Sequence, residues 1–285
     1  MSVPSTPQVT PTCYRHPDRV TYVRCTRCNR PICSECMRSA AVGHQCDDCV
    51  RGGAKSVRQP RGVAGGQAGA MPVVTYALIA INVLMFVVEA VTPGLQQKLV
   101  LFAPAVADGD LYRLVTSAFM HYGIVHLLFN MYALYIIGPA LERWLGRTRY
   151  TALYLLSALG GSVLVYLLSP LNAATAGASG AVFGLFGAAF VIGKRLNVNV
   201  QWVLGLIAIN LAFTFVIPAL GGQQISWQGH IGGLVTGSAV AAIYAYAPRE
   251  RGTAIQLSAS LAIVVAFVAL IWWRTTDLMS MFGLT

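Results

Sequence analysis

The sequence predicts an all-α, polytopic membrane protein with a small cysteine- and histidine-rich head at its N-terminus. Three observations predict it. The 285 residues are 56% hydrophobic and only 11% charged, with a mean hydropathy of +0.62, against roughly a quarter charged in a soluble domain. Seven stretches approach the roughly 20 apolar residues that a helix needs to cross hydrocarbon. All seven cysteines fall between positions 13 and 49, ahead of the first such stretch.

The predicted spans are Val73–Ala90, Phe119–Leu141, Tyr150–Leu168, Ala178–Gly193, Val198–Leu220, Gly229–Ala247 and Ala254–Trp273. His, Asn, Ser and Gly interrupt the second, fourth and sixth, whereas the last is a plain anchor. Polar residues inside spans are costly, so these three are where function is sought. No intramembrane carboxylate lies at mid-depth, which argues against a transporter.

Basic residues orient the chain. Of 20 Lys and Arg, ten precede the first span, three follow the second, two follow the fourth and two follow the sixth; only Lys98, Arg113 and Arg274 fall on the other side. The positive-inside rule then predicts a cytoplasmic N-terminus and an extracytoplasmic C-terminus. The net charge of +10 is accounted for by topology and by attraction to anionic membrane lipids, and no nucleic-acid partner is expected. The first 70 residues hold no apolar run, so no cleavable signal is expected.

The head reads Cys13-x2-His16-x8-Cys25-x2-Cys28-x4-Cys33-x2-Cys36, closing with Cys46-x2-Cys49. Each C-x2-C or C-x2-H pair presents two ligands from one turn, and a structural zinc takes four, so four pairs predict two structural Zn2+ ions. Disulfides are disfavoured in a reducing compartment. This order resembles a B-box-like zinc finger, which implies Cys13, His16, Cys33 and Cys36 on one ion and Cys25, Cys28, Cys46 and Cys49 on the other, with His44 an alternative to one of the last pair. So short a segment buries too little core to fold alone, and the metals are expected to hold it. A cytoplasmic docking partner fits such a module. The stretch Arg51–Gly69, rich in Gly, Arg and Gln, reads as a flexible basic linker along the inner leaflet.

In this topology the second, fourth and sixth spans all run inward from the outer face, and their first residues include His121, His126, Ser179 and His230. Taken singly each has a structural explanation, since a serine at a helix start is commonly a cap. Together they place four polar residues at one depth, on helices whose Gly180/Gly184 and Gly229/Gly233/Gly237 spacing permits close backbone packing. A hydroxyl beside a neutral imidazole can surrender its proton as it attacks, and the imidazole can return it to a leaving amine. Glu89, Asp108, Asp110 and Asp277 all lie away from the three spans, so a Ser179–His230 dyad is expected rather than a triad. His126 and Asn130 are four apart on one helical face. They offer donors to an oxyanion together with the Ser179 N–H. His121, five residues earlier, points about 140° away on the helical wheel and is assigned to the water-facing rim.

These motifs, His121-x4-His126-x3-Asn130, Gly177-Ala178-Ser179-Gly180 and His230-x2-Gly233-x3-Gly237, resemble those of the rhomboid intramembrane serine proteases, over about Val73 to Ala247. Tyr112-Arg113 resembles the Trp-Arg pair of that family's first loop, and Glu142-Arg143 the charged turn after the second span. The resemblance implies a rhomboid-like six-helix core at 73–247, with residues 248–285 as a seventh helix and extracytoplasmic tail. Residues 1–50 would form the zinc-binding domain and 51–72 the linker. It implies a multi-pass protein of a bacterial plasma membrane that cleaves single-pass transmembrane substrates, with Ser179 as nucleophile, His230 as base and no cofactor in the reaction. Asn130, His126 and the Ser179 backbone would form the oxyanion hole, with Gly177 leaving room beside it. Tyr112 and Phe183 depart from the usual Trp and Tyr, but both keep a ring.

Overall fold

The computed structural model describes residues 10–56, 71–220, 225–248 and 250–281. The chain forms two compact units, Met1–Gln59 and Pro60–Thr285.

In the first unit β1 (Met37–Ser39) pairs antiparallel with β2 (His44–Cys46), followed by α1 (Asp47–Ser56). Its buried cluster is Ile32 together with five cysteines, Cys13, Cys25, Cys33, Cys36 and Cys46. Apart from Ile32 and Thr21, therefore, the buried residues described in this unit are candidate ligands. Residues 51–56, which composition assigned to the linker, continue α1; the rest of that expected linker, positions 57–70, lies outside the described residues.

The second unit is a helical bundle. Its elements in order are α2 (Val73–Val91), α3 (Leu95–Leu99), β3 (Leu101–Phe102), α4 (Ala103–Ala107), α5 (Arg113–Thr116), a 3-10 turn at Ser117–Phe119, α6 (Ile124–Leu145), α7 (Arg147–Leu168), β4 (Ala174–Thr175), α8 (Ser179–Arg195), α9 (Gln201–Ala219), α10 (Trp227–Tyr246) and α11 (Gly252–Met281). Helices α2, α6, α7 and α11 are long and apolar enough to cross a membrane on length and composition alone. Three more, α8, α9 and α10, complete six core helices and a seventh. Helix α8 has only 17 residues, about 25 Å at 1.5 Å per residue. It is buried among the others, with eleven of its residues inside, so it need not match the full hydrocarbon thickness.

Glycine brings α7, α8 and α10 together. A Cβ on Gly233 would run into the Gly180 carbonyl, and one on Gly237 into the backbone of Gly184. On α7, a Cβ on Gly161 would lie 2.8 Å from the Gly229 carbonyl oxygen. The α8–α10 approach is the one that the four-residue glycine spacing predicted; the contribution of α7 was not foreseen. At its other end α6 is fastened to α2 by Glu142, whose carboxylate accepts from Val74 N (3.0 Å), Thr75 N (2.8 Å) and Thr75 Oγ1 (2.8 Å). The Glu142-Arg143 pair is thus not a turn but the last part of α6, capping the first turn of its neighbour.

Candidate active site

Ser179 opens α8, where its N–H has no carbonyl four residues earlier within the helix to bond. The segment leading to it is fixed by two non-local contacts. Strand β3 pairs with β4, Leu101 opposite Thr175 and Phe102 opposite Ala174, and Gly177 N donates to the Ser117 carbonyl at 2.9 Å. Gly177 itself has φ +130°, a conformation in which L side chains are strained. A Cβ there would stand 2.8 Å from His126 Nε2 and 3.6 Å from Ser179 Oγ. Both polar atoms therefore flank the space left by that missing side chain.

Asn130 is buried on α6 and donates one Nδ2–H to the His126 carbonyl at 2.9 Å, which leaves its second amide hydrogen for another acceptor. Helix α10 carries His230. Gly229, just before it, lies against Gly180, just after Ser179: a Cβ on Gly180 would stand 3.2 Å from the Gly229 carbonyl oxygen. The ring of Phe183 stacks on His230, centroids 4.2 Å apart and planes 13° from parallel. Stacking at this position thus survives without a tyrosine. His230 is 7% exposed, and its Nδ1 sits 2.9 Å from Thr214 Oγ1 of α9.

His121 is not where the helical wheel put it. Gly123, at φ +97°, turns the chain before α6 begins at Ile124, so His121 is not on that helix and its angle there has no meaning. Its ring is fully buried, edge-on to His126 at 5.1 Å between centroids. His121 therefore does not stand at a water-facing rim. The segment Thr92–Tyr112, between the first and second predicted spans, holds α3, β3 and α4. Arg113 anchors it: 9% exposed, it donates to the carbonyls of Gln97 (2.8 Å) and Val100 (3.1 Å), pairs with Asp110 at 2.9 Å and stands over the Tyr112 ring at 5.7 Å. Leu101 and Val106 of this segment, with Leu114 of α5, are buried with Val165, Tyr166 and Leu278 of α7 and α11.

Asn210 and Thr214 of α9, the second beside His230, are polar residues that no sequence motif marked. Two polar residues four apart on an apolar helix are a signal in themselves, but α9 has no histidine and only one glycine, Gly205, so it shows no four-residue glycine spacing.

In the head, Cys13, His16, Cys33 and Cys36 form one cluster and Cys25, Cys28, Cys46 and Cys49 another, each with its ligand atoms within 4.8 Å of one another. His16 Nδ1 is 3.8, 3.3 and 3.4 Å from the sulfurs of Cys13, Cys33 and Cys36, and Cys28 and Cys46 sulfurs are 3.7 Å apart. A tetrahedron with bonds of about 2.3 Å has edges of about 3.8 Å, so both clusters fit a four-coordinate metal ion. Burial pushes the Cys13 and Cys25 thiols up, but backbone N–H groups, of Arg15 and Cys33 for one and Cys46 and Cys28 for the other, outweigh it and bring both down to about 6. Burial holds Cys36 up at about 11, and the neighbouring Cys46 sulfur holds Cys49 up at about 12; thiolate is the metal-binding form, so a metal would displace their protons. His44 lies in β2 and belongs to neither cluster.

Residues 108–247 match the family model described as the Rhomboid domain. GluP, a rhomboid protease of Bacillus subtilis (strain 168), is 35% identical over 185 residues, covering 60% of this chain and 34% of GluP. The rhomboid relative YdcA of the same organism is 36% identical over 170 residues, 58% of this chain and 85% of YdcA. The mitochondrial RHOMBOID-like protein 6 of Arabidopsis thaliana is 35% identical over 151 residues, 51% of this chain and 47% of that protein. The chain thus spans about a third of the length of GluP and about half that of the plant relative.

Proposed function

Because the chain belongs to the rhomboid family, we propose that it is an intramembrane serine endopeptidase that cuts transmembrane helices of single-pass membrane proteins near the outer face of the membrane. The observation that carries this reading is the convergence of Ser179 and His126 on the gap at Gly177, with His230 brought alongside by glycine-to-glycine contact of α8 and α10.

Ser179 Oγ attacks the scissile carbonyl carbon while His230 Nε2 takes the hydroxyl proton. The carbonyl oxygen, now anionic, is held by the Ser179 N–H at the positive end of α8, by the free Nδ2–H of Asn130 and by the His126 ring. Collapse breaks the C–N bond, and the leaving nitrogen receives the proton from His230. Water then repeats the sequence on the acyl-enzyme and regenerates Ser179. Gly177 keeps the approach to the oxyanion donors free of a side chain. A peptide bond in an intact helix is sheathed by side chains and hydrogen bonds, so cutting is expected where helix-breaking or small residues let the substrate unwind.

The protein lies in a bacterial plasma membrane with its N-terminus cytoplasmic and its C-terminus outside. The head binds two structural zinc ions and serves a cytoplasmic partner, and catalysis needs no cofactor. Purified protein should cleave a model transmembrane substrate, and Ser179→Ala and His230→Ala should each abolish cutting. Either variant cutting at the parent rate overturns the assignment.

A further inference from the structure

We propose that Thr214 is a positioning residue that fixes the tautomer of His230, making the working unit Ser179–His230–Thr214. The inference rests on the reading of His230 as the general base. It follows from counting one proton. Thr214 Oγ1 lies 2.8 Å from the Asn210 carbonyl oxygen and 2.9 Å from His230 Nδ1. A carbonyl only accepts, so the single hydroxyl hydrogen is committed to Asn210. Towards His230 the oxygen can then only accept, which requires the hydrogen of the neutral ring to sit on Nδ1. Nε2 is left with its lone pair free, the form that a base accepting the Ser179 proton must have.

Two features hold the arrangement still. Thr214 is 2% exposed, so water does not compete readily for its lone pairs, and Phe183 stacked on His230 restricts the ring to rotation in its own plane. In soluble serine hydrolases the orienting partner is a buried carboxylate. Here the described carboxylates lie away from His230, and a neutral hydroxyl does the orienting without placing a charge inside the bundle.

The test compares parent, Thr214→Val, Thr214→Ser and His230→Ala as full-length protein in lipid vesicles with a model transmembrane substrate. Thr214→Val keeps the shape and removes the acceptor, so kcat should fall roughly tenfold, the scale of one buried hydrogen bond, with KM within about twofold. Thr214→Ser should recover most of the loss. With 15N-labelled histidine, the His230 signals, identified by their absence in His230→Ala, should show a protonated Nδ1 and a bare Nε2 in the parent and a mixture in Thr214→Val. Thr214→Val matching the parent in kcat, Thr214→Ser losing as much as Thr214→Val, or a parent His230 protonated on Nε2 would each overturn the inference. If His230→Ala is inactive and Thr214→Val is not impaired, only the Thr214 role fails; if His230→Ala cleaves as the parent does, the base assignment fails and this inference with it.

Discussion

At the residue scale, the proposed site depends on a side chain that is missing. A methyl group at Gly177 would press on the His126 ring and adopt a backbone angle of +130°, so Gly177→Ala both strains the loop, by about 1–3 kcal/mol, and displaces an oxyanion donor. We expect kcat to fall roughly a hundredfold, read by single-turnover cleavage; unimpaired chemistry would remove Gly177 from the site. Asn130→Ala tests the same hole from α6. Removing one donor should lower kcat roughly a hundredfold or more while KM changes little. A raised KM with kcat intact would instead make Asn130 a substrate-binding residue. Most of this constellation was readable from the chain, because i, i+4 spacing puts His126 and Asn130 on one face wherever a helix forms. His121 was not. A single positive-φ glycine, Gly123, ends the helical wheel before it reaches that residue, and no periodicity announces such a turn.

At the element scale, backbone contact between α8 and α10 sets the level of Ser179 against His230. Gly233→Val would drive a branched side chain into the Gly180 carbonyl, so the two helices must separate. Loss of cleavage together with a lower thermal midpoint in detergent is expected, and a variant with parental midpoint and activity would contradict the packing. Glu142 is a cleaner probe of the fold away from the chemistry. Glu142→Ala leaves the Val74 and Thr75 N–H groups of α2 without their acceptor, while Thr75 Oγ1 keeps the Tyr150 hydroxyl at 3.2 Å; a loss of about 1–3 kcal/mol should lower the midpoint, and an unchanged midpoint would show that α2 needs no cap from α6. The seven long helices and the glycine seam were legible because hydropathy and four-residue spacing are local signals. The pairing of β3 with β4 was not legible, being two residues on each side and joined across more than 70 positions. Yet it steadies the strand that leads into Ser179.

At the scale of the whole molecule, two units follow different physics. The bundle is held by apolar packing, whereas the buried cluster of the head is mostly cysteine, so with two zinc ions bound as proposed its stability would be metal affinity. Two zinc ions per chain are expected by elemental analysis, and a strong chelator should collapse the dispersion of the head's NMR spectrum. Cys25→Ser should lower the count to one. A metal-free head that keeps its fold would contradict this account. The head's ligand pairs were legible from spacing alone, while its division into two sets needed either a resemblance or three dimensions, since the pairs alternate along the chain.

The central claim is that Ser179 is a nucleophile inside the membrane bundle. A serine-reactive phosphonate probe, applied to the parent protein in lipid vesicles and located by mass spectrometry of the labelled peptide, tests it most directly. The account predicts a label on Ser179 that blocks cleavage, is abolished in Ser179→Ala and falls steeply in His230→Ala. A label on another residue, with Ser179→Ala still cutting substrate, would contradict it.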